Sequence, residues 1–195
     1  MTRIISLEGH DYAGKSSTTT LLYQHLLENG QQVRHNTGVI HKQALALPPP
    51  ADDLQRETQY TLAYLIDRYQ DDARPRDELF IQDRFWMSTV AYGRFLNKEQ
   101  SIHYTVDLRR HFIQPLLVVR LSCGIEEAIQ RSTARNAYSA FDKLILNNPE
   151  QFERLEREIT WSLEGQRVLA VDTTKLALAD VVTTIEQELT NRGVL

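Results

Sequence analysis

The chain has 195 residues, 42% hydrophobic and 25% charged, with a net charge of −4. That length suits one globular domain with a sizeable core, and the acidic balance excludes a broad basic surface for a nucleic acid polymer. A single cysteine, Cys123, excludes an intramolecular disulfide; the lack of an apolar leader or a membrane-length run points to a cytoplasmic protein with no membrane partner.

Ile4-Ile5-Ser6-Leu7 is an apolar run that predicts a strand. Gly9-His10-Asp11-Tyr12-Ala13-Gly14-Lys15-Ser16 follows in the pattern G-x-x-x-x-G-K-S, and Thr18 to Leu27 then predicts a helix. In that context glycines let backbone N–H groups and the positive end of the helix face an anion. Lys15 is placed to reach the β- and γ-phosphates of ATP, and the Ser16 hydroxyl to hold Mg²⁺. Gly9 to Ser17 is therefore the expected ATP-binding set: Gly9, His10, Asp11, Tyr12, Ala13, Gly14, Lys15, Ser16 and Ser17. The alternative is a plain glycine turn between strand and helix.

Gln32 to His35 predicts a second strand after the helix stop Asn29-Gly30. Pro48-Pro49-Pro50 and Asp52-Asp53 mark a loop, and a long helix is expected from about Asp53 to Ala73, ended by Pro75. Glu78 to Gln82 reads as a third strand closing at Asp83-Arg84. Helices are expected at Ser88 to Phe95 and Tyr104 to Phe112. Leu116 to Leu121 predicts a fourth strand, Ile125 to Arg135 a helix, and Pro149 to Leu163 a charged helix. Val168 to Asp172 gives a fifth strand and Leu178 to Arg192 a closing helix. Strict alternation implies a three-layer α/β/α domain over 1–195, with a five-stranded parallel sheet and helices on both faces. Ligands in such sheets bind at the carboxyl ends of the strands.

Three polar clusters follow strands and should gather at that edge. Asp83 ends a strand and is placed to order Mg²⁺ or its waters. Arg84 points a forked cation into the same cleft, and Arg68, late in the long helix, can reach it from the other side. Such forks suit a phosphate, so the acceptor is expected to carry one. Arg68 has an alternative as an ion-pair partner of Asp71 or Asp72. Arg131 and Arg135, four residues apart, can close over the transferring group as a short lid near 131–148. They can equally form a solvated face, with Glu127 as partner of Arg131.

Glu8-Gly9-His10-Asp11-Tyr12-Ala13-Gly14-Lys15-Ser16-Ser17, Tyr64-Leu65-Ile66-Asp67-Arg68 and Asp83-Arg84-Phe85-Trp86-Met87-Ser88-Thr89-Val90-Ala91-Tyr92 resemble three segments of the thymidylate kinases. The resemblance runs through nearly the whole chain and implies a P-loop kinase fold and a homodimer. It implies that Arg68 and Arg84 grip an acceptor monophosphate, that Tyr64 stacks on the base, and that Thr89 contacts it. Ser88 belongs to the same acceptor segment. Tyr92 is implied under the sugar, and Asp11 near the sugar 3′-hydroxyl and Mg²⁺. Tyr12 stands where part of that family carries a catalytic arginine, so the resemblance assigns this role to Arg131 or Arg135, beside Lys15, Asp11 and Arg84. Four features depart from the pattern: His10 stands where an apolar residue is usual, the lid segment is short, and two further positions differ. His35-Asn36-Thr37-Gly38 replaces Arg-Glu-Pro-Gly, and Gly93 replaces a frequent glutamine.

The expected activity is transfer of the γ-phosphoryl of ATP to a nucleoside monophosphate, dTMP or a related nucleotide. The other readings are a same-fold kinase acting on a nucleoside or other small metabolite, and a non-catalytic nucleotide-binding regulator. For an anionic phosphate acceptor no strong general base is needed. For a hydroxyl acceptor a carboxylate is, and Asp11 is the best-placed candidate, with Glu8 second.

Overall fold

β-branched and leucine-rich runs bounded by polar turns give five strands, and amphipathic segments between them give helices. The computed structural model describes residues 3–37, 48–69, 78–96, 99–135 and 139–195. In chain order these form β1 (Arg3–Glu8), α1 (Lys15–Glu28), β2 (Val33–Thr37), α2 (Asp53–Tyr69), β3 (Leu79–Asp83), α3 (Trp86–Leu96) and α4 (Ile102–Thr105). A 3₁₀ turn at Arg109–His111 leads to β4 (Leu117–Ser122), α5 (Ile125–Arg135), α6 (Ala140–Leu146), α7 (Pro149–Ser162), β5 (Val168–Asp172) and α8 (Leu178–Asn191). All neighbouring strands are parallel, in the order β2-β3-β1-β4-β5.

The central strand β1 is buried from Ile4 to Glu8, as expected when helices cover both faces of a parallel sheet. On one face, Ile5 and Leu7 pack with Leu22 and Leu26 of α1 and Val181 and Ile185 of α8. On the other, Ile4 packs with Tyr64 of α2, Trp86 and Val90 of α3, and Phe152 and Leu155 of α7. The register pairs Leu7 of β1 with Asp83 of β3. The glycine loop after β1 and Asp83-Arg84 after β3 therefore leave the sheet side by side, at its carboxyl edge.

The expected helix over Tyr104 to Phe112 is instead the short α4 and a separate 3₁₀ turn. Val106 turns extended at the end of α4, and the Asp107 carboxylate then accepts the Arg109 N–H at 3.1 Å, starting the turn. Helix α6 was not anticipated. Its start is a capping box in which the Ser139 hydroxyl accepts the Asp142 N–H while the Asp142 carboxylate accepts the Ser139 N–H. The end expected for α2, between residue 70 and Ala73, lies outside the described residues, as do Gly38 and Asn136-Ala137-Tyr138. Among the described residues no helix is long and apolar enough to cross a membrane.

Candidate active site

The loop between β1 and α1 is shaped by backbone that side chains rarely tolerate. Gly9 has φ 144°, and a Cβ there would lie 2.0 Å from the Leu121 carbonyl oxygen of β4. Gly14 caps α1 in the left-handed region at φ 91°. Tyr12 at φ 69° and Arg84 at φ 62° share that region although neither is glycine. Such conformations cost about 1–3 kcal/mol each and persist where surrounding contacts fix them. Here both residues belong to the candidate site.

Lys15 opens α1, is buried, and donates from Nζ to the His10 carbonyl oxygen at 2.6 Å. Burial, with Arg84 next in weight, lowers its pKa to about 7, against the opposing pull of Asp11, Asp83 and Glu8. Ser16 and Ser17 stand exposed at the first turn, and Ala13 is buried below them. His10 is buried against Phe152 with its ring centroid 4.8 Å away. Its Nδ1–H donates to the Asp11 carbonyl at 2.6 Å and its Nε2 accepts the Cys123 N–H at 3.2 Å. Burial lowers its pKa, which keeps the ring neutral and structural.

Arg84 is the hub of the cleft. Its guanidinium donates to the Asp11 carboxylate, to the Gly9 carbonyl at 3.2 Å, to Ser88 Oγ at 3.2 Å and to the Tyr92 hydroxyl at 3.3 Å. It also lies 5.0 Å from the centre of the Tyr92 ring. The Tyr92 hydroxyl donates to the second Asp11 oxygen at 3.3 Å. Burial raises the Asp11 pKa, but Arg84 and then Lys15 pull harder and leave it below the usual carboxylate value. Asp11, Arg84 and Tyr92 are thus one charged cluster within reach of Lys15.

Beneath it, Glu8 takes the Phe85 N–H at 2.7 Å and the Ser88 hydroxyl at 2.5 Å, one on each oxygen. Both acceptors are committed to holding the start of α3, so Glu8 positions the Arg84 turn. Burial pushes its pKa up to about 7.

A cleft of about 350 Å³ opens beside this cluster, within the size range of small-ligand pockets. Asp11, Tyr64, Asp83, Arg84, Ser88, Thr89 and Tyr92 all line it. Tyr64 is 3% exposed and meets Phe85 edge-on at 5.2 Å. Arg68 is exposed in the last turn of α2 and does not line the cleft. Glu57, Arg56 and Tyr60 line it without having been singled out from sequence, and so does Gly93, noted there only as replacing a frequent glutamine. Glu57 stands two helical turns before Tyr64 on the same side of α2, but that spacing alone does not mark an acid as buried in a cleft wall.

Arg131 and Arg135 part ways. Arg131 donates to the Tyr12 carbonyl at 3.0 Å, to Thr173 Oγ1 at 2.9 Å, to the Thr173 carbonyl at 2.7 Å and to Glu127 at 2.8 Å. It ties the glycine loop to the segment after β5. Arg135 is exposed, 5.9 Å from the Tyr12 ring centre. Phe141 of α6 covers Tyr92 at 5.5 Å and Phe95 at 5.9 Å between ring centres, so α6 packs against α3 beside the cleft.

The thymidylate kinase family model matches residues 7–185. The chain belongs to the thymidylate kinase family. It is 32% identical to the thymidylate kinase of Geotalea uraniireducens over 168 residues, 79% of this chain and 75% of that one. It is 32% identical to the thymidylate kinase of Geotalea daltonii over 151 residues, 70% of each chain. Among solved structures, thymidylate kinase from Candida albicans superposes with a TM-score of 0.69 at 14% identity, covering 98% of this chain and 92% of the other. Deoxyadenosine kinase from M. mycoides gives 0.64 at 15% identity, covering 96% and 99%. These likenesses match the five-stranded P-loop fold expected from sequence. The chain is an ATP-dependent phosphotransferase of the nucleoside monophosphate kinase type.

Proposed function

We propose that the chain transfers the γ-phosphoryl group of ATP to dTMP or a related nucleoside monophosphate held in the cleft beside Arg84. The observation that carries this reading is the Asp11–Arg84–Tyr92 cluster, set against Lys15 and opening into that cleft. ATP lies on the Gly9 to Ser17 loop, with Lys15 leaving the His10 carbonyl for the β- and γ-phosphates. Arg84 exchanges part of its internal bonding for the acceptor phosphate, because a forked guanidinium binds phosphate oxygens bidentately. Ser88 and Thr89 face the acceptor from α3, Tyr64 supports its base, and Tyr92 lies under the sugar.

Ser16 and Asp83 offer hard oxygen ligands beside the phosphate loop. Among the described residues no three acidic, imidazole or thiolate groups form a cage, and Mg²⁺ bound through one or two protein oxygens plus phosphates needs none. Mg²⁺ there would neutralise charge on the phosphates. The acceptor arrives already anionic, so the protein's task is alignment and charge neutralisation rather than proton abstraction. Arg131 is committed to the loop, which leaves Arg135 as the arginine able to swing onto the transferring group. Arg68 is an outer contact reached only if α2 and the lid close.

The working unit in this proposal is a cytoplasmic homodimer. Leu62, 46% exposed on α2, supports pairing through that helix. Sedimentation at the 22.6 kDa of one chain under assay conditions would exclude the dimer.

The test is ADP release from ATP against a panel of nucleoside monophosphates and the matching nucleosides. Turnover of at least one monophosphate at kcat/KM of about 10⁴ M⁻¹s⁻¹ or more is expected. Turnover confined to nucleosides would overturn the proposal.

A further inference from the structure

Tyr12 is the point where the phosphate loop meets α5 and α6. Its backbone sits at φ 69°, a region that glycine adopts freely and tyrosine does not. A strained residue of this kind persists only where its contacts over-determine it. Tyr12 has such contacts on three sides. Its carbonyl accepts the Arg131 guanidinium at 3.0 Å. Its ring, 9% exposed, has the Arg135 guanidinium carbon 5.9 Å from its centre. Its hydroxyl donates to the Asp142 carboxylate of α6; burial and then that bond raise the phenol pKa to about 12. Arg131 and Arg135 share one face of α5, so a single loop residue is held by one and faces the other.

Asp142 is itself fixed. It accepts the Ser139 N–H at 2.8 Å and the Ser139 hydroxyl at 2.6 Å, and is buried. The phenol is therefore tied to a carboxylate that belongs rigidly to the start of α6. Tyr12, Phe141, Asp142, Ile145 and Leu155 enclose a gap of only about 10 Å³, room for one water at most. This contact is a packed joint rather than a pocket. Arg135, by contrast, ends α5 and is exposed. It lies within the distance at which a cation is drawn to a ring face.

We propose that Tyr12 is a positioning residue, whose ring holds the Arg135 guanidinium over the phosphate loop while its bond to Asp142 fixes the ring. This rests on the nucleoside monophosphate kinase reading above, with Arg135 as the arginine that reaches the transferring group. A long exposed side chain samples many rotamers, whereas stabilisation of developing charge needs the cation in place beforehand. A ring face holds a guanidinium without a counter-charge. Arg135 can then move onto a phosphate without breaking an ion pair, which Arg131, bonded to Glu127 and Thr173, would have to do.

The test is a double-mutant cycle on the full-length protein between position 12 and Arg135→Ala, read by kcat at saturating ATP with the best nucleoside monophosphate. Tyr12→Gly removes the ring and the hydroxyl together and suits the positive φ, so the loop should still fold. Tyr12→Phe keeps the ring and removes only the bond to Asp142. Y12G is expected to lower kcat by about thirty- to a hundredfold and Y12F by about three- to tenfold, the scale on which small misplacements act. KM for ATP should rise by less than kcat falls in each. In the Arg135→Ala background, already slowed, either change should lower kcat by less than about twofold, because nothing is left to position. Equal losses in both backgrounds would overturn the inference, and so would native kcat in Y12G. Should Y12G fail to fold, the cycle with Y12F decides by the same criterion. Native kcat in Arg135→Ala, or no turnover with any monophosphate, would overturn the underlying kinase reading and this inference with it, a result distinct from equal losses.

Discussion

Replacing Arg131 by methionine separates a structural arginine from a catalytic one. Its guanidinium makes four hydrogen bonds, to the Tyr12 carbonyl, Thr173 Oγ1, the Thr173 carbonyl and the Glu127 carboxylate, and its side chain is 25% exposed. Hydrogen bonds to a charged donor contribute about 1.5–3 kcal/mol each, and contributions within one cluster are not additive. Methionine keeps the aliphatic stem, so the expected loss is about 2–4 kcal/mol. For a chain of this length that corresponds to roughly 4–16 °C in melting temperature. The loosened loop should raise KM for ATP, with kcat at saturation falling less than about tenfold. Arg135→Ala should do the opposite. Its melting temperature stays within about 1 °C, since an exposed group is removed, and kcat falls by about 10³, the lower end for a transition-state arginine. Differential scanning fluorimetry and steady-state kinetics on the two variants read both quantities. Native-like melting of Arg131→Met together with a thousandfold loss of kcat would refute this assignment.

Gly9→Ala forces a Cβ onto the Leu121 carbonyl oxygen; it should abolish ATP binding by calorimetry or prevent folding, and a variant with native ATP affinity would contradict the loop geometry. Lys15, with its pKa lowered to about 7, is largely neutral in the free protein at about pH 8.5. Bound phosphates favour its charged form, so ATP binding at that pH should take up about one proton, measured by calorimetry in buffers of different ionisation heat. Proton release, or none exchanged, would contradict the burial of that amine. Glu8 is shifted the other way, from 4.5 to about 7. The folded protein then holds a proton that the unfolded chain has released, so its contribution is complete below about 4.5 and is lost as pH rises through about 7. Glu8→Gln should flatten the pH dependence of stability in that window; an unchanged slope would place its origin elsewhere.

The parallel sheet and the phosphate loop were legible because both depend on local pattern. Runs such as Val168 to Asp172 match the observed strand limits, and the glycine spacing from Gly9 to Gly14 encodes a loop whose conformation few other residues can adopt. Asp83 and Arg84 could be placed because parallel register sets a strand end beside the loop. The division of labour between Arg131 and Arg135 was not legible. It depends on Thr173, which is 42 residues from Arg131 and meets it only when β5 docks beside β4. Glu57 was missed for a similar reason. Its burial depends on a missing side chain at Gly93 on another helix, and an amphipathic pattern offers no sign of that. The short α6 was missed although its signals are local: Ser139 and Asp142 form a capping box, and Phe141, Leu144 and Ile145 stand at helical spacing over only seven residues.

The central claim is that Arg84 grips a phosphate already present on the acceptor. Phosphorus NMR of ATP mixed with the best nucleoside monophosphate follows it directly, with the native protein and Arg84→Ala compared at subsaturating acceptor. The account predicts a new diphosphate signal on the acceptor with native protein. It also predicts a loss of about a hundredfold or more in acceptor kcat/KM for the variant, with ATP affinity within about threefold, from the two or more charge-assisted contacts removed. A variant with native acceptor kinetics, or a signal that appears only with the unphosphorylated nucleoside, would contradict it.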